Sequence, residues 1–589
     1  MAVFSIVPTE TSTPHWSADG QYSSRVAVGP HYEIRFDGEI ATKIDRERWI
    51  FVWYGEANTQ PNFERVVDLL ESGDHSELWG GRGILIAINK IESCVYLFND
   101  GYGSFPVYLD NSAVAGDALV SDTLRSFAGH GVDWVSFYQF LSLGYIFGPY
   151  SLFKGISRLT ANSGLKIEFG GDKAAISQFS LSNFWSTGEA LHRTSIDDLI
   201  DIFRAEAEGF GDTQVMMSGG WDSRLLLSVL EQKKPLLYTH GDLESREVAI
   251  VRYIAEMCNL ALVERAFSPA DFGPDLVSSY LKKNDSAMFT HWHQAGLHAR
   301  ENKLIITAGT FGEVLGGHYG TLNTLPGKKK YASLLMHMIG LGAFLDDALH
   351  LHDQETILEY LKMSNYNVFW FLESGLADEL RSRKIIEESN HRLECVFQGY
   401  ADQGMIDAQA MFERFYTEHR GGQYINLQLT NSACRHNFRN IFTNRDLLQS
   451  ISSTSFSSRA HNKVNKEIIR KLRPELLDFP MAATLANARR PLLIQEGSRG
   501  IRKLVEKNDA LKFVYRRVSR YGDRGFGWNS FRSIVNEDWI MNISNFLSSE
   551  LWDHSVLNKA AMYNGASNMY PLFDMVSKAI TLNYIISEH

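Results

Sequence analysis

The stretch Gln214-Val-Met-Met-Ser218-Gly219-Gly220-Trp221-Asp222-Ser223-Arg-Leu-Leu-Leu-Ser-Val-Leu230 decides the fold of this chain. Val215, Met216 and Met217 form an apolar run of buried-strand length. Leu225, Leu226, Leu227, Val229 and Leu230 form a second run beyond a polar loop. Asp222 and Ser223 stand where a helix begins, and both residue types suit that place. The pattern is strand, glycine loop, helix. Two adjacent glycines let the backbone approach a ligand closely. The free amides of the helix start, with the positive end of its dipole behind them, favour phosphate there. The spacing of the common phosphate loop, Gly-x-x-x-x-Gly-Lys-Ser/Thr, is absent.

Outward from the loop, the segment 235–239 reads as a second strand, and His240-Gly241-Asp242 leads into a helix from about Glu244 to Met257. Segments 261–267 and 303–307 read as third and fourth strands. Strand–helix alternation of this kind predicts a parallel sheet with ligand at the strand ends. On the N-terminal side, residues 1 to about 30 are polar and uninformative. Segments 32–36, 50–54, 83–89 and 95–99 read as strands, and 62–71 as a helix, which predicts an α+β layered part. A polar stretch near Ser180 to Ser195 links the two parts, and residues 330–480 read as largely helical.

At 589 residues the chain is too long for one core. Its net charge of -11 argues against a general nucleic-acid binder. Four cysteines, Cys94, Cys258, Cys395 and Cys434, have no close metal-ligand spacing and point to a reduced compartment. No secretory signal and no apolar run of membrane length is visible. The expectation is a cytoplasmic protein with no membrane and no nucleic-acid partner.

The loop resembles the pyrophosphate loop (PP-loop), Ser-Gly-Gly-x-Asp-Ser, of ATP pyrophosphatases, which cut ATP between the α and β phosphates. Ser218, Gly219, Gly220, Asp222 and Ser223 match it. Phe98-Asn-Asp-Gly-Tyr-Gly-Ser-Phe-Pro-Val-Tyr108 is similar to the Arg-Asp-x-x-Gly-x-x-Pro-Leu-Tyr signature of glutamine-dependent asparagine synthetases; Asp100, Gly103, Pro106 and Tyr108 match, and Asn99 replaces the arginine. Ser151-Leu-Phe-Lys-Gly-Ile-Ser-Arg-Leu159 resembles that family's Thr-Leu-Phe-x-Gly-Ile-x-x-Leu. The ordered set covers most of residues 30 to 475. The resemblance implies an N-terminal-nucleophile-hydrolase-like layered domain over 1–180 and a PP-loop synthetase domain with a Rossmann-like parallel sheet over 190–480. Residues 481–589 lie beyond it as a mostly helical, partly basic extension carrying Arg499, Arg502, Lys503, Lys507, Lys512, Arg516, Arg517, Arg520 and Arg524. That basic tract reads as a solvated helix face.

The family's glutaminase nucleophile is a cysteine exposed by methionine removal, and this chain has Ala2 there. Amide cleavage of that kind needs an activated thiolate, so the N-terminal domain is expected to be non-catalytic and free glutamine a poor nitrogen source.

For ATP, the resemblance implies a site of Met217, Ser218, Gly219, Gly220, Asp222 and Ser223, with Thr239, His240 and Gly241 against adenine and Thr307 and Ala308 at the fourth strand end. Mg2+ is expected on Asp222. After the fourth strand, Thr307-Ala-Gly-Thr-Phe-Gly-Glu-Val-Leu-Gly-Gly317 stands against the family's Ser-Gly-Glu-Gly-x-Asp-Glu-x-x-Gly-Gly. Gly309 and Gly312 replace its first Glu and its Asp, His318 follows where Tyr is usual, and Glu313 matches the last Glu. Glu313 is expected as the second metal carboxylate; the alternative is a glutamate at a helix start. Lys466-Glu-Ile-Ile-Arg470 resembles the family's Lys-x-Ile-Leu-Arg, which makes Lys466 the expected active-site cation, with Lys463 as the fallback. Arg439, Phe442 and Leu447 match a further motif in which Ile441 and Asn444 replace Pro and Asp. His291, Trp292, His293 and His298 lack zinc-protease spacing and are expected on a helix surface or a substrate channel.

The resulting functional expectation is a ligase that adenylates a carboxylate and passes it to ammonia or an amine. The substrate carboxylate lies on a small molecule, peptide or sugar, and the nitrogen comes free or from a partner. Asparagine synthesis is one choice. Relatives without the cysteine include beta-lactam synthetases, lasso-peptide cyclases and enzymes thought to amidate uronic acids. The alternatives are a catalytically degraded binding or scaffold protein and a nucleic-acid-modifying pyrophosphatase relative.

Overall fold

A computed structural model of the chain describes residues 4–9, 23–37, 41–56, 61–73, 82–111, 119–127, 129–170, 174–181, 185, 195–281, 286–317, 327–342, 344, 353–363, 369–426, 437–506, 511, 531, 533–556 and 569–587. Ala2, His318, Cys434, most of the 180–195 linker and the basic residues from Lys507 to Arg524 lie outside them.

The N-terminal part is two antiparallel sheets. The strands are β1 (Phe4–Pro8), β2 (Ser24–Val28), β3 (Tyr32–Phe36), β4 (Thr42–Asp45), β5 (Trp49–Gly55), β6 (Gly83–Asn89), β7 (Cys94–Phe98), β8 (Tyr108–Asp110), β9 (Val120–Ser121), β10 (Ile156–Arg158), β11 (Ser163–Glu168) and β12 (Ala175–Ser180). Among the described residues one sheet runs β10-β8-β9-β1-β3-β2 and the other β12-β11-β7-β6-β5-β4. β5 and β6 are apolar without alternation because both of their faces are covered. Val52, Ile84, Ile86 and Ile88 pack toward Phe4, Ile6 and Ile34 of the first sheet. Phe51, Trp53, Leu85 and Ala87 pack under Val66 and Leu70 of helix α1 (Phe63–Ser72), which Asn62 caps.

The stretch before residue 30, expected to be uninformative, holds β1 and β2, with β1 central in its sheet. Its pattern is hidden because Ser5 is fully buried beside Ile6; the hydroxyl is satisfied by the carbonyl of Val120 at 3.4 Å.

The second part is a parallel sheet. β13 (Thr213–Met216), β14 (Leu236–Gly241), β15 (Leu262–Ala266) and β16 (Ile305–Ala308) lie in the order β15-β14-β13-β16. Helix α2 (Trp134–Leu143) belongs to the first part; α3 (Ile196–Glu208) precedes β13, α4 (Trp221–Leu230) follows it, and α5 (Arg246–Cys258) follows β14. α6 (Pro274–Leu281) and α7 (Thr290–Glu301) lead to β16, and α8 (Gly312–Leu315) follows it. The chain builds outward from β13 to β15, then returns to its other side with β16. That reversal opens a crevice at the C-terminal ends of β13 and β16, where open α/β sheets take their ligands.

Among the described residues the rest is largely helical, as expected. Residues past 481 are built into the core. Trp552 stacks on Phe137 of α2 with ring centroids 5.9 Å apart. Trp539 Nε1 donates to the carbonyl of Phe272 at 3.0 Å, and Thr581 Oγ1 accepts from the amide of Ala287 at 3.0 Å. Arg502, expected on a solvated face, is buried. Among the described residues no helix is long and apolar enough to cross a membrane.

Candidate functional site

The loop after β13 is fixed by its own residues. The Met217 amide donates to the carbonyl of Tyr238 at 2.8 Å. Ser218 and Ser223 hydroxyls meet at 3.0 Å, and Ser223 Oγ donates to the Ser218 carbonyl at 2.9 Å. α4 begins at Trp221, with Gly220 as its cap and no side-chain hydrogen bond to the cap. No side chain at the cap therefore takes up the first amides of the helix, where an anion is favoured. The neighbouring Gly219 amide donates to Glu247 Oε1 of α5 at 3.1 Å, so the loop already holds one anionic group. A Cβ at Gly219 would lie 2.9 Å from Ala482 Cβ, which requires glycine.

Two carboxylates face each other at the crevice. Asp222 lies in the first turn of α4 and Glu313 in α8. Burial, then the charge of Glu313, pushes the Asp222 carboxyl well above the usual carboxylate range. Asn465 Nδ2 opposes this by donating to Asp222 Oδ1 at 2.9 Å. Glu313 Oε2 and Asn465 Oδ1 are buried without a hydrogen-bond partner. Such orphaned oxygens beside a like-charge pair fit a hard cation, which takes oxygen ligands and draws its remaining ones from phosphate and water. Among the described residues no group of three or more His, Cys, Asp or Glu is placed to hold a metal ion.

The two glycines that depart from the family pattern have a steric reason. A Cβ at Gly312 would lie 2.7 Å from Asp222 Cβ, and one at Gly309 would lie 2.9 Å from the Ser223 amide nitrogen. Asp222 packs into the space that side chains there would fill. Between them Phe311 sits at φ 69, a left-handed conformation costly for a bulky residue. Its ring packs edge-on against Tyr102 at 5.1 Å, so the N-terminal motif buttresses this turn. That motif is internally bonded: Asp100 Oδ1 accepts from the amides of Tyr102 and Ser104 at 3.0 and 2.8 Å.

Thr239, His240 and Gly241 end β14, and Thr307 and Ala308 pair with Val215 and Met216 in register. Thr307 Oγ1 is buried without a hydrogen-bond partner. The structure thus gathers Met217 to Ser223, Glu313, Thr307 and Ala308 at the ends of adjacent strands. Lys466 is elsewhere engaged: its Nζ donates to the carbonyls of Arg489 and Arg490 at 3.1 and 3.2 Å. Lys463 Nζ donates to the Ser457 carbonyl at 3.0 Å.

The histidine-rich helix is not a surface. His291 and Trp292 of α7 are buried, and His291 packs 5.0 Å from His240 and 5.9 Å from Phe531. His298 Nδ1 meets Gln214 Oε1 at 2.7 Å. α7 lies between the sheet and C-terminal residues, which covers both of its sides. Burial, then the charge of Arg265, lowers His240 to about 3, so it is a neutral ring against its neighbours.

Sequence reasoning missed Arg224, Glu247 and Asn465. Fully buried Arg224 donates to the carbonyls of Leu476 (3.1 Å), Phe479 (3.0 Å), Gly219 (3.3 Å) and Pro480, pinning the loop to segment 476–480. A charged residue directly before the apolar run after the loop was the available signal. Asn465 adjoins the lysine motif but carries no charge to draw attention. No known protein-family pattern and no curated protein matches the chain.

Proposed function

We propose that the chain is an ATP-dependent carbon–nitrogen ligase of the asparagine-synthetase-like type, with a PP-loop domain behind an N-terminal-nucleophile-hydrolase-like layer. The observation that carries this reading is the Asp222–Glu313 pair at the sheet's reversal point, beside a loop with the Ser-Gly-Gly-x-Asp-Ser pattern. A carboxylate is a poor acyl donor in water. Attack of its oxygen on the α phosphorus of ATP forms an acyl-adenylate, while the bond to the bridging oxygen breaks and pyrophosphate leaves. An amine nitrogen then bonds to the acyl carbon, loses a proton, and AMP departs.

In this reading the Ser218 to Ser223 loop and the start of α4 cradle the leaving pyrophosphate, which displaces Glu247 from the Gly219 amide. Asp222 and Glu313 are the residues that would hold Mg2+, which when bound supplies positive charge against the phosphates. Asn465 orients Asp222 through its 2.9 Å hydrogen bond. Lys466 reaches a phosphate only by giving up its two carbonyl partners. Met217, the turn Thr239-His240-Gly241, Thr307 and Ala308 flank the nucleoside.

The test is ATP–pyrophosphate exchange, with Mg2+, across a panel of amino, peptide and uronic acids. Exchange that depends on one class of acid, and is lost in Asp222→Ala, is expected. ATP binding without exchange for any acid would replace the ligase by the non-catalytic scaffold reading.

A further inference from the structure

A second cavity, of about 1150 Å³, lies away from the loop, between the ends of the N-terminal strands and the helix Ile385–Asp402 with the turns Tyr416–Ile425 beyond it. None of its lining residues belongs to the proposed ATP site. Its volume exceeds the roughly 300–1,000 Å³ of typical small-molecule pockets.

The charges on its wall do not cancel. Arg414 and Glu418 pair at 2.8 Å, and the other Glu418 oxygen accepts from Tyr400 at 2.9 Å, so that carboxylate is fully used. His419 is held neutral: its Nε2 accepts from the Gly148 amide at 3.0 Å, its Nδ1 faces the Phe415 carbonyl, and burial lowers it to about 3. That leaves Arg158. Its guanidinium donates one bond, to the Gly103 carbonyl at 2.8 Å; Tyr108 and Asp100 act on its charge from farther off, but among the described residues no carboxylate lies within ion-pair distance of it. Arg158 is half-buried and lines the cavity, while the surrounding protein desolvates its charge. Gln423 adds a donor. Its oxygen accepts from the Ile146 amide at 3.3 Å, which leaves the amide hydrogens for a ligand. Leu159, Trp185 and Val396 supply apolar wall. Gly399 opens the space further, since a Cβ there would meet nothing within 4 Å.

We infer that this cavity is a binding site for a small organic carboxylate, its anionic end on the Arg158 guanidinium and its apolar body along Trp185 and Val396. Arginine's planar fork matches a carboxylate, and a desolvated cation with no close ion pair gains most from such a partner. The inference is independent of the ligase reading, because binding here needs neither ATP nor the loop.

Benzoate is the probe, with benzamide and inorganic phosphate as controls, read by calorimetry on the full chain without ATP or Mg2+. Benzoate is expected to bind, benzamide and phosphate at least about tenfold more weakly. Arg158→Gln should lose about tenfold or more in benzoate affinity. Gly399→Leu narrows the cavity beside Val396 while leaving Arg158 in place, and should weaken benzoate binding severalfold while melting at or above the wild-type temperature. This variant keeps the test decisive if Arg158→Gln fails to fold. Equal binding of benzamide, preference for phosphate, no benzoate binding, or wild-type affinity in Gly399→Leu would each overturn the inference.

Discussion

Putting a single methyl group at position 312 tests the acidic pair most directly. In Gly312→Ala the new Cβ would lie 2.7 Å from Asp222 Cβ, 2.8 Å from its Cγ and 2.9 Å from Oδ1. Carbon pairs are comfortable at roughly 3.5–4.0 Å, so about an ångström must be found. Asp222 cannot yield freely, because Asn465 holds Oδ1 at 2.9 Å and the carboxylate heads a helix packed on the sheet. Overpacking of this kind costs about 1–3 kcal/mol. Relief by rotating Asp222 gives up the Asn465 bond and displaces the carboxylate from Glu313. The expected result is a lower melting temperature together with a severalfold rise in the Mg2+ needed for half-maximal pyrophosphate exchange. Gly312→Asp, which restores the residue type of the resembled family, should be worse, since it adds a charge to the same overlap. The matched control is Gly399→Ala, in a helix interior with open space, which should gain about 0.5–1 kcal/mol. A Gly312→Ala protein with wild-type melting and wild-type Mg2+ dependence would refute the packing of Asp222 into this turn.

Asp222→Asn should lose about a hundredfold or more of exchange activity yet melt higher at neutral pH without Mg2+. The folded-state value of Asp222 is raised, so its stabilising contribution is present below its unfolded value and lost as pH rises through the folded one. Melting curves from pH 4 to 8 should therefore show the variant's advantage growing with pH, and an advantage confined to pH 4 contradicts the sign. Glu313→Gln should raise the Mg2+ requirement severalfold with melting nearly unchanged; an unaltered requirement leaves Asp222 as the lone metal carboxylate. Arg224→Met orphans several buried carbonyls and should cost more than about 3 kcal/mol, read as a large drop in melting temperature; near-wild-type melting would show that segment 476–480 holds itself.

The parallel sheet was legible because β13, β14 and β16 each carry a short apolar run beside polar or glycine residues, while the edge strand β15 holds Glu264 and Arg265. The helix after the second strand starts at Arg246 and not near Glu244, because Ser245 caps it by accepting from the Val248 amide at 3.3 Å. The candidate site was legible where chemistry is local in sequence: Ser218 to Ser223 form one loop, and Glu313 stands just past a strand end. It was not legible where long-range packing decides. Asn465 reaches Asp222 across 243 positions, and Arg224 binds carbonyls more than 250 positions away. Gly309 and Gly312 read as losses from a family pattern, but their role is visible only with Asp222 against them. The histidines of α7 gave no sign of burial because their cover, including Phe531, comes from far along the chain.

The stacking of Trp552 on Phe137 sets an order on synthesis. α2 leaves the ribosome early; Phe369 and the helix Ile385–Asp402 cover part of it when they emerge, but Trp552 and the helix Tyr570–Ser587 follow more than 400 positions later. At about 5–20 residues per second that interval is roughly 20 to 90 seconds. During it the two N-terminal sheets can close on each other, while the side of α2 that meets Trp552 and the last helix waits uncovered. A nascent chain of this design is a natural client for a holding chaperone. For the same reason, a version shortened near residue 481 should emerge sticky and insoluble, whatever the condition of its nucleotide loop.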